Sequence, residues 1–310
     1  MEEHHSGSPN VRTFSCYSEV REIPGFKDEN HLTKENYKEL VGDYNFNEQA
    51  RCCFERENGS LCRHLHNIGY VVRLKDESAT IIGNVCADTN FNAEHEISRD
   101  RARYQNEKRR LENLARVQEL VAGKDSTLAS FREKREQLEA LDVRIEEFLA
   151  AVGSRCAARL HGMIRDGRRE VVITGIRIRE YEENGEKVQE RIRIPLTVGS
   201  ISGLTVMRPN ACQGIVARMK AVADAYSTAE QLADPIRNSV LDELRLVLSD
   251  AERVLADTDE LLAAEKSFFA GDLSPLPFLV SDIGDRYRVA RFVFGGVGKR
   301  RAKESLLSKE

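Results

Sequence analysis

The chain is 310 residues long, 41% apolar and 32% charged, with no Trp and only 6% aromatic residues. So high a charged share beside so low an apolar one excludes a single deep spherical core and favours long charged helices with narrow apolar seams. No apolar run approaches the roughly 18 residues of a membrane span. Seven Cys behind a polar N-terminus without a signal-type apolar stretch point to reduced thiols in the cytoplasm rather than a disulfide framework.

Residues 1–40 read as a polar leader with one short strand, Arg12 to Tyr17. Residues 41–93 read as a small hairpin module. In it Gly69 to Leu74 and Ala79 to Ile82 are short strands, and Lys75-Asp-Glu-Ser78 is the loop by composition. From 94 to 169 the pattern is helical, with Tyr104, Leu111, Leu114, Val117 and Val121 recurring at spacings of three, four and seven. Gly123 followed by Asp125 and Ser126 marks a stop and a new start. Leu128, Phe131, Leu138, Leu141, Ile145, Phe148 and Val152 then form an a/d-like seam. A helix from Thr127 to about Arg165 would be roughly 60 Å long.

Residues 170–207 form a β insert, Val171 to Arg179 and Val188 to Ile194 alternating with period two around Glu182-Glu-Asn-Gly185. Helix returns over 208–272, first at Asn210 to Ala225. A second long helix, begun or kinked by Pro235, carries Leu241, Leu244, Leu248, Ala251 and Val254 or Leu255. Residues 273–310 hold a strand, Tyr287 to Phe294, and a basic tail. The expected fold is α+β and mainly helical. It consists of a small zinc-stabilised β-hairpin module and a long antiparallel coiled-coil-like helical pair with a β-hairpin insert.

The window from Arg51 to Ala87 holds four of the seven Cys and two of the seven His. A structural zinc site takes four Cys or His ligands in a tetrahedron. Cys62, His66 and Cys86 supply three, and Cys52 or Cys53 the fourth. Cys52 is favoured because in an extended segment it shares the inward face with Phe54. His66 is favoured over His64 because a Cys-x3-His step allows a relaxed turn. The order knuckle, hairpin, then Cys86 before a helix resembles treble-clef and zinc-ribbon modules over about 40 residues. It departs from their paired Cys-x2-Cys spacing. That resemblance implies a structural zinc ion, held here by Cys52, Cys62, His66 and Cys86.

The insert has its own charge pattern. Facing Ile176 and Ile178 with Ile194 and Ile192 requires paired residue numbers that sum to 370, hence an odd loop, Asn184-Gly185-Glu186. That register places Arg177 opposite Arg193 and Arg179 opposite Arg191, an unfavourable pairing that calls for an anion or nearby acids. A two-residue Asn-Gly turn would instead pair Ile178 with Arg191 and mix the faces. Arg286 to Lys303 carries +7 with no acid, so in a chain of net charge −4 the remainder carries −11. The candidate anion or nucleic-acid surface is therefore Arg177, Arg179, Arg191 and Arg193 with the tail residues Lys299, Arg300, Arg301 and Lys303. The internal alternative is the acidic stretch Asp257-Thr-Asp-Glu260.

No phosphate-binding loop, zincin motif or nucleophile constellation can be assembled. The expected function is non-enzymatic: a zinc-containing binding or scaffold protein acting through protein–protein contacts, a second copy included. DNA or RNA binding is the alternative. A metal-dependent nuclease of the His-Asn-His class, drawing on His64, His66, Asn84 and His95, is the remaining one.

Overall fold

The computed structural model describes residues 11–91, 93–183, 186–233 and 236–295. The architecture is mixed, mainly helical with two β components, and falls into two compact units. One comprises Met1–Glu119 with Ala233–Arg245, the other Leu120–Leu232 with Leu246–Glu310.

The first unit is built on a four-stranded sheet in the order β1-β2-β3-β4. β1 (Thr13–Phe14) runs parallel to β2 (Tyr37–Arg51), which pairs antiparallel with β3 (Leu65–Leu74). β4 (Ala79–Gly83) closes the expected hairpin on β3, with Val71 opposite Ile81 and Tyr70 opposite Ile82. Both faces are covered, so the hairpin strands are apolar at successive positions rather than at alternate ones. Val71, Ile81, Tyr44 and Phe46 pack on one face with Phe14 and Val20. Tyr70, Val72 and Ile82 pack on the other with Leu32, Phe54 and Phe91.

The leader is thus no leader after Arg12. Phe14, Val20 of the short helix α1 (Tyr17–Arg21), Ile23 and Leu32 are buried and complete the sheet's two cores. They stand singly among polar residues, so no period marks them. β2 escaped a period-two reading because its register shifts between Leu40 and Gly42 and again between Asn45 and Ala50. Each bulge breaks the alternation.

Behind the sheet lie α2 (Asn84–Asn90) and α3 (Glu96–Ala122). α3 is clamped to the strands by Tyr104 Oη donating to Arg12 O at 2.6 Å, Lys108 on Asp43 at 2.5 Å and Tyr37 Oη donating to Asp100 at 2.8 Å.

The second unit holds α4 (Lys124–Val152), α5 (Ser154–Arg165), α6 (Ala211–Glu230), α8 (Ala251–Phe269) and α9 (Ile283–Phe294), while α7 (Asn238–Ser249) precedes α8. The seam of α4 is buried at Phe131, Leu138, Leu141, Phe148 and Val152. It does not serve one antiparallel partner. Lys124 meets Glu230 and Asp142 meets Gln213, so α6 runs antiparallel to α4. Lys134 meets Asp259 and Arg144 meets Glu265, so α8 runs parallel to it. The expected helical pair is replaced by an up-down-up bundle, because the intervening α6 supplies the return. Phe148 stacks edge-on with Phe268, Phe269 and Phe292 at that end.

Two further expectations are corrected here. The helix from Thr127 to Arg165 breaks at Gly153, whose φ of +83° belongs to the region that favours glycine. Tyr287 to Phe294 is helical, not a strand. Asp282 caps α9 by accepting from the Asp285 N–H, and Val289 and Ala290 are buried. Its partial alternation of apolar residues and arginines was a short coincidence that the cap overrides.

Between α5 and α6, β5 (Glu170–Glu183) and β6 (Glu186–Ser200) form an isolated two-stranded ribbon. Glu183 pairs with Glu186, so two residues link the strands, and paired numbers sum to 369 along most of its length. The expected register, with its sum of 370, survives only at the root, where Val171 faces Gly199 before a bulge. The reason is physical. Neither face is buried along the ribbon's length, with Ile176 61% and Ile178 55% exposed. Turn chemistry therefore sets the register, and Asn-Gly favours the two-residue link.

Candidate metal centre

Three segments bring their cysteines to one place. Cys52 follows the end of β2, with its N–H on His64 O at 2.9 Å. It shares a core with Phe54 and Phe91, while Cys53 lies in the core on the opposite face, its Sγ near Asp28 O and Arg51 O. Neighbours in an extended segment point to opposite sides, so only one of the adjacent pair can reach the site. Cys62 follows a tight turn in which Gly59 N–H donates to Arg56 O and Arg56 N–H to Ser60 O. Its N–H donates to Phe54 O at 2.8 Å, and Arg63 then reverses the backbone at a φ of 51°. A left-handed non-glycine residue there is mild strain retained next to a candidate site. Cys86 lies in the first turn of α2, whose N-cap is Gly83.

The Sγ atoms of Cys52, Cys62 and Cys86 lie within 4.8 Å of one another, and those of Cys62 and Cys86 are 3.3 Å apart. A tetrahedral ion with metal–sulfur bonds of about 2.3 Å holds its sulfurs roughly 3.8 Å apart. The three thiols are therefore close enough to bind a metal ion. Burial raises the Cys52 and Cys86 thiols. At Cys62 burial acts the same way, but hydrogen bonds from the His64 backbone and from Cys86 outweigh it and hold that thiol below its ordinary value. Three crowded thiols need a cation to become three thiolates.

His66 stands outside this trio but borders it. Its Nδ1 is 2.9 Å from Tyr44 Oη, and its Nε2 is buried without a hydrogen-bond partner. Gly83 is the shared neighbour. Its N–H reaches Cys52 Sγ, and a Cβ there would lie 2.7 Å from the His66 ring. Gly69 plays the same part for Tyr44: a Cβ would lie 2.3 Å from its hydroxyl. Burial first, and the charge of His64 second, push His66 down to about 4. The ring is then neutral near pH 7, the form that ligates a metal. His64 itself is exposed, and its carbonyl is spent on Cys52 N–H. Tyr44, Gly69 and Gly83 were missed from sequence. Their only signal, two glycines that face each other across β3 and β4, has meaning once the pairing is known. Asp88, two residues beyond Cys86, is tied to Arg101 of α3, which fixes α2 in place.

Two of the nuclease candidates, His95 and Asn84, are engaged elsewhere. His95 has Nε2 on Lys34 O and Nδ1 on the Ile97 N–H, and Asn84 Oδ1 accepts from Val85 N–H.

The candidate anion surface is not one face. Opposite residues share a face, and Arg191 and Arg193 stand opposite Ile178 and Ile176. Arg177 and Arg179 stand opposite Ile192 and Glu190 on the other side. The expected Arg–Arg pairs are therefore absent. Asp257 and Asp259 do not serve these arginines, since Arg218 bridges Asp250 and Asp257, and Lys134 pairs Asp259. Lys299, Arg300, Arg301, Lys303 and Pro235 lie outside the described residues. Among the described residues no helix is long and apolar enough to cross a membrane. Comparison with known proteins finds no matching family model, curated protein or solved structure.

Proposed function

We propose that the chain is a non-enzymatic zinc protein of the cytoplasm that works by binding protein surfaces, a second copy of itself included. The observation that carries the metal half is the convergence of the Cys52, Cys62 and Cys86 thiols within 4.8 Å. His66 is the fourth ligand in this reading, because its buried Nε2 lacks any other partner. A Cys3His set is the composition of a structural zinc site with no open position for substrate. When bound, the ion supplies a cross-link. The chain's own residues hold the end of β2, the turn before Arg63 and the start of α2 in register around it, with Tyr44 orienting the imidazole.

The binding half is supported by the ribbon, whose strands leave Val172, Ile176, Ile178 and Leu196 exposed. Apolar side chains displayed in this number on one projecting element mark a contact surface. Elemental analysis of purified protein, followed by chelation, tests the metal reading. One zinc per chain is expected, with loss of the first unit's fold on its removal. Metal-free protein with an unchanged melting profile overturns it.

A further inference from the structure

The ribbon and the groove at its root carry opposite charges. Its outer end exposes Glu180, Glu182 and Glu190 against Lys187. The root opens on a cleft of about 930 Å³ between the end of α5, the first residues of β5 and the 3-10 turn Leu276–Leu279 that leads to α9. Five arginines line it: Arg159, Arg165, Arg168, Arg169 and Arg286, against Asp166 and Glu170. Asp166 is taken up by Arg168 and Arg165, and Arg286 is anchored by donating to Val280 O at 2.7 Å. Met163, Val171 and Phe278 give the cleft an apolar floor.

We infer that the occupant is a second copy of this chain, the acidic outer end of each ribbon seating in the arginine-lined cleft at the root of the other. This deepens the protein-binding half of the proposed function and rests on it. A surface that is basic at one end and acidic at the other is complementary to itself when turned end for end, and a two-fold axis closes the contact. Between root and tip, the exposed Ile176 and Ile178 then meet their counterparts, and Arg177, Arg179, Arg191 and Arg193 form no ion pair of their own among the described residues. The size fits as well. A two-stranded ribbon roughly 45 Å long and about 10 Å wide offers around 450 Å² per copy. With the cleft added, both copies together reach the roughly 1,000 Å² a specific interface needs. Nucleic acid fits less well, since residues 170–200 carry six Glu against five Arg and Lys, with the acids gathered at the tip.

A charge swap on the full chain, followed by sedimentation velocity across the micromolar range, tests the inference. Wild type should dimerise. Glu180→Lys with Glu182→Lys, or Arg165→Glu with Arg169→Glu, should each weaken the dimer by about tenfold or more. All four changes together should restore it, a recovery that misfolding could not produce. A monomeric wild type, or reversals without effect, overturns the inference. So does salt-sensitive binding to duplex DNA lost in the Arg165 and Arg169 variant, which would assign the cleft to phosphate. Zinc content measured on the same samples separates the readings. A metal-loaded monomer sinks this inference alone, and a metal-free dimer sinks the zinc reading alone.

Discussion

The β3–β4 and β5–β6 hairpins are built from similar residue types, and they obey different rules. In β3–β4 every inward position has a core waiting on both faces, and Val71, Val72, Ile81 and Ile82 are fully buried. A one-residue slip would move a whole apolar set, so burial alone fixes the pairing. In β5–β6 Ile176 and Ile178 are exposed, the register follows the two-residue link, and arginines share both faces with aliphatic side chains. The lesson is that period-two alternation specifies a register only where something covers one face. The first hairpin also has three close thiols, those of Cys52, Cys62 and Cys86, at its edge, whereas the second leaves Val172, Ile176 and Ile178 exposed.

The largest contrast concerns the metal. Cys86→Ser should release the ion and unfold the first unit, since binding free energy at a structural zinc site, about 10–16 kcal/mol, is also folding free energy. Replacing Cys53 by Ser should leave the metal in place, because Cys53 lies in the opposite core. Zinc analysis and circular dichroism on both variants check this, and equal metal loss in the two would assign the site wrongly.

Next come paired truncations. Ile82→Ala removes a fully buried side chain and should cost about 2–5 kcal/mol. Ile176→Ala, measured in dilute protein where copies are apart, should stay within about 0.5 kcal/mol. Comparable losses in urea unfolding would mean that the ribbon is packed after all.

Two glycines give a smaller contrast. At Gly83 an added methyl meets the His66 ring at 2.7 Å, and the ring is held by Tyr44, so Gly83→Ala should cost roughly 1–3 kcal/mol and weaken zinc retention. At Gly175 the nearest atom is 3.6 Å away, so Gly175→Ala should be neutral or stabilising by up to about 1 kcal/mol. Thermal melts with and without chelator distinguish them.

The smallest effect on stability tests the register itself. Gly185→Val removes the residue that the Asn-Gly link depends on. The ribbon should then lose the Tyr181–Val188 pairing in cross-strand NMR contacts, with little change in melting. A retained pairing would show that the root, not the link, sets the register.

What the sequence determined by itself was whatever depends on near neighbours. The β3–β4 hairpin, the stop at Gly123, the apolar seam from Phe131 to Val152 and the clustering of Cys52, Cys62 and Cys86 within 35 residues were all legible, because each is a local period or a local density. Even the choice of Cys52 over Cys53 followed from alternation beside Phe54. Tertiary structure decided what depends on distant segments. Phe14 and Leu32 join cores made of β2, β3 and β4, and no period signals a single apolar residue among polar ones. α6 became the antiparallel partner of α4 because burial of the seam is shared between two helices, a choice that heptads on one helix cannot make. The contact between Gly83 and His66 joins residues 17 positions apart through strand pairing. The ribbon's register was settled by the absence of a covering surface, and an absence leaves no mark in the sequence.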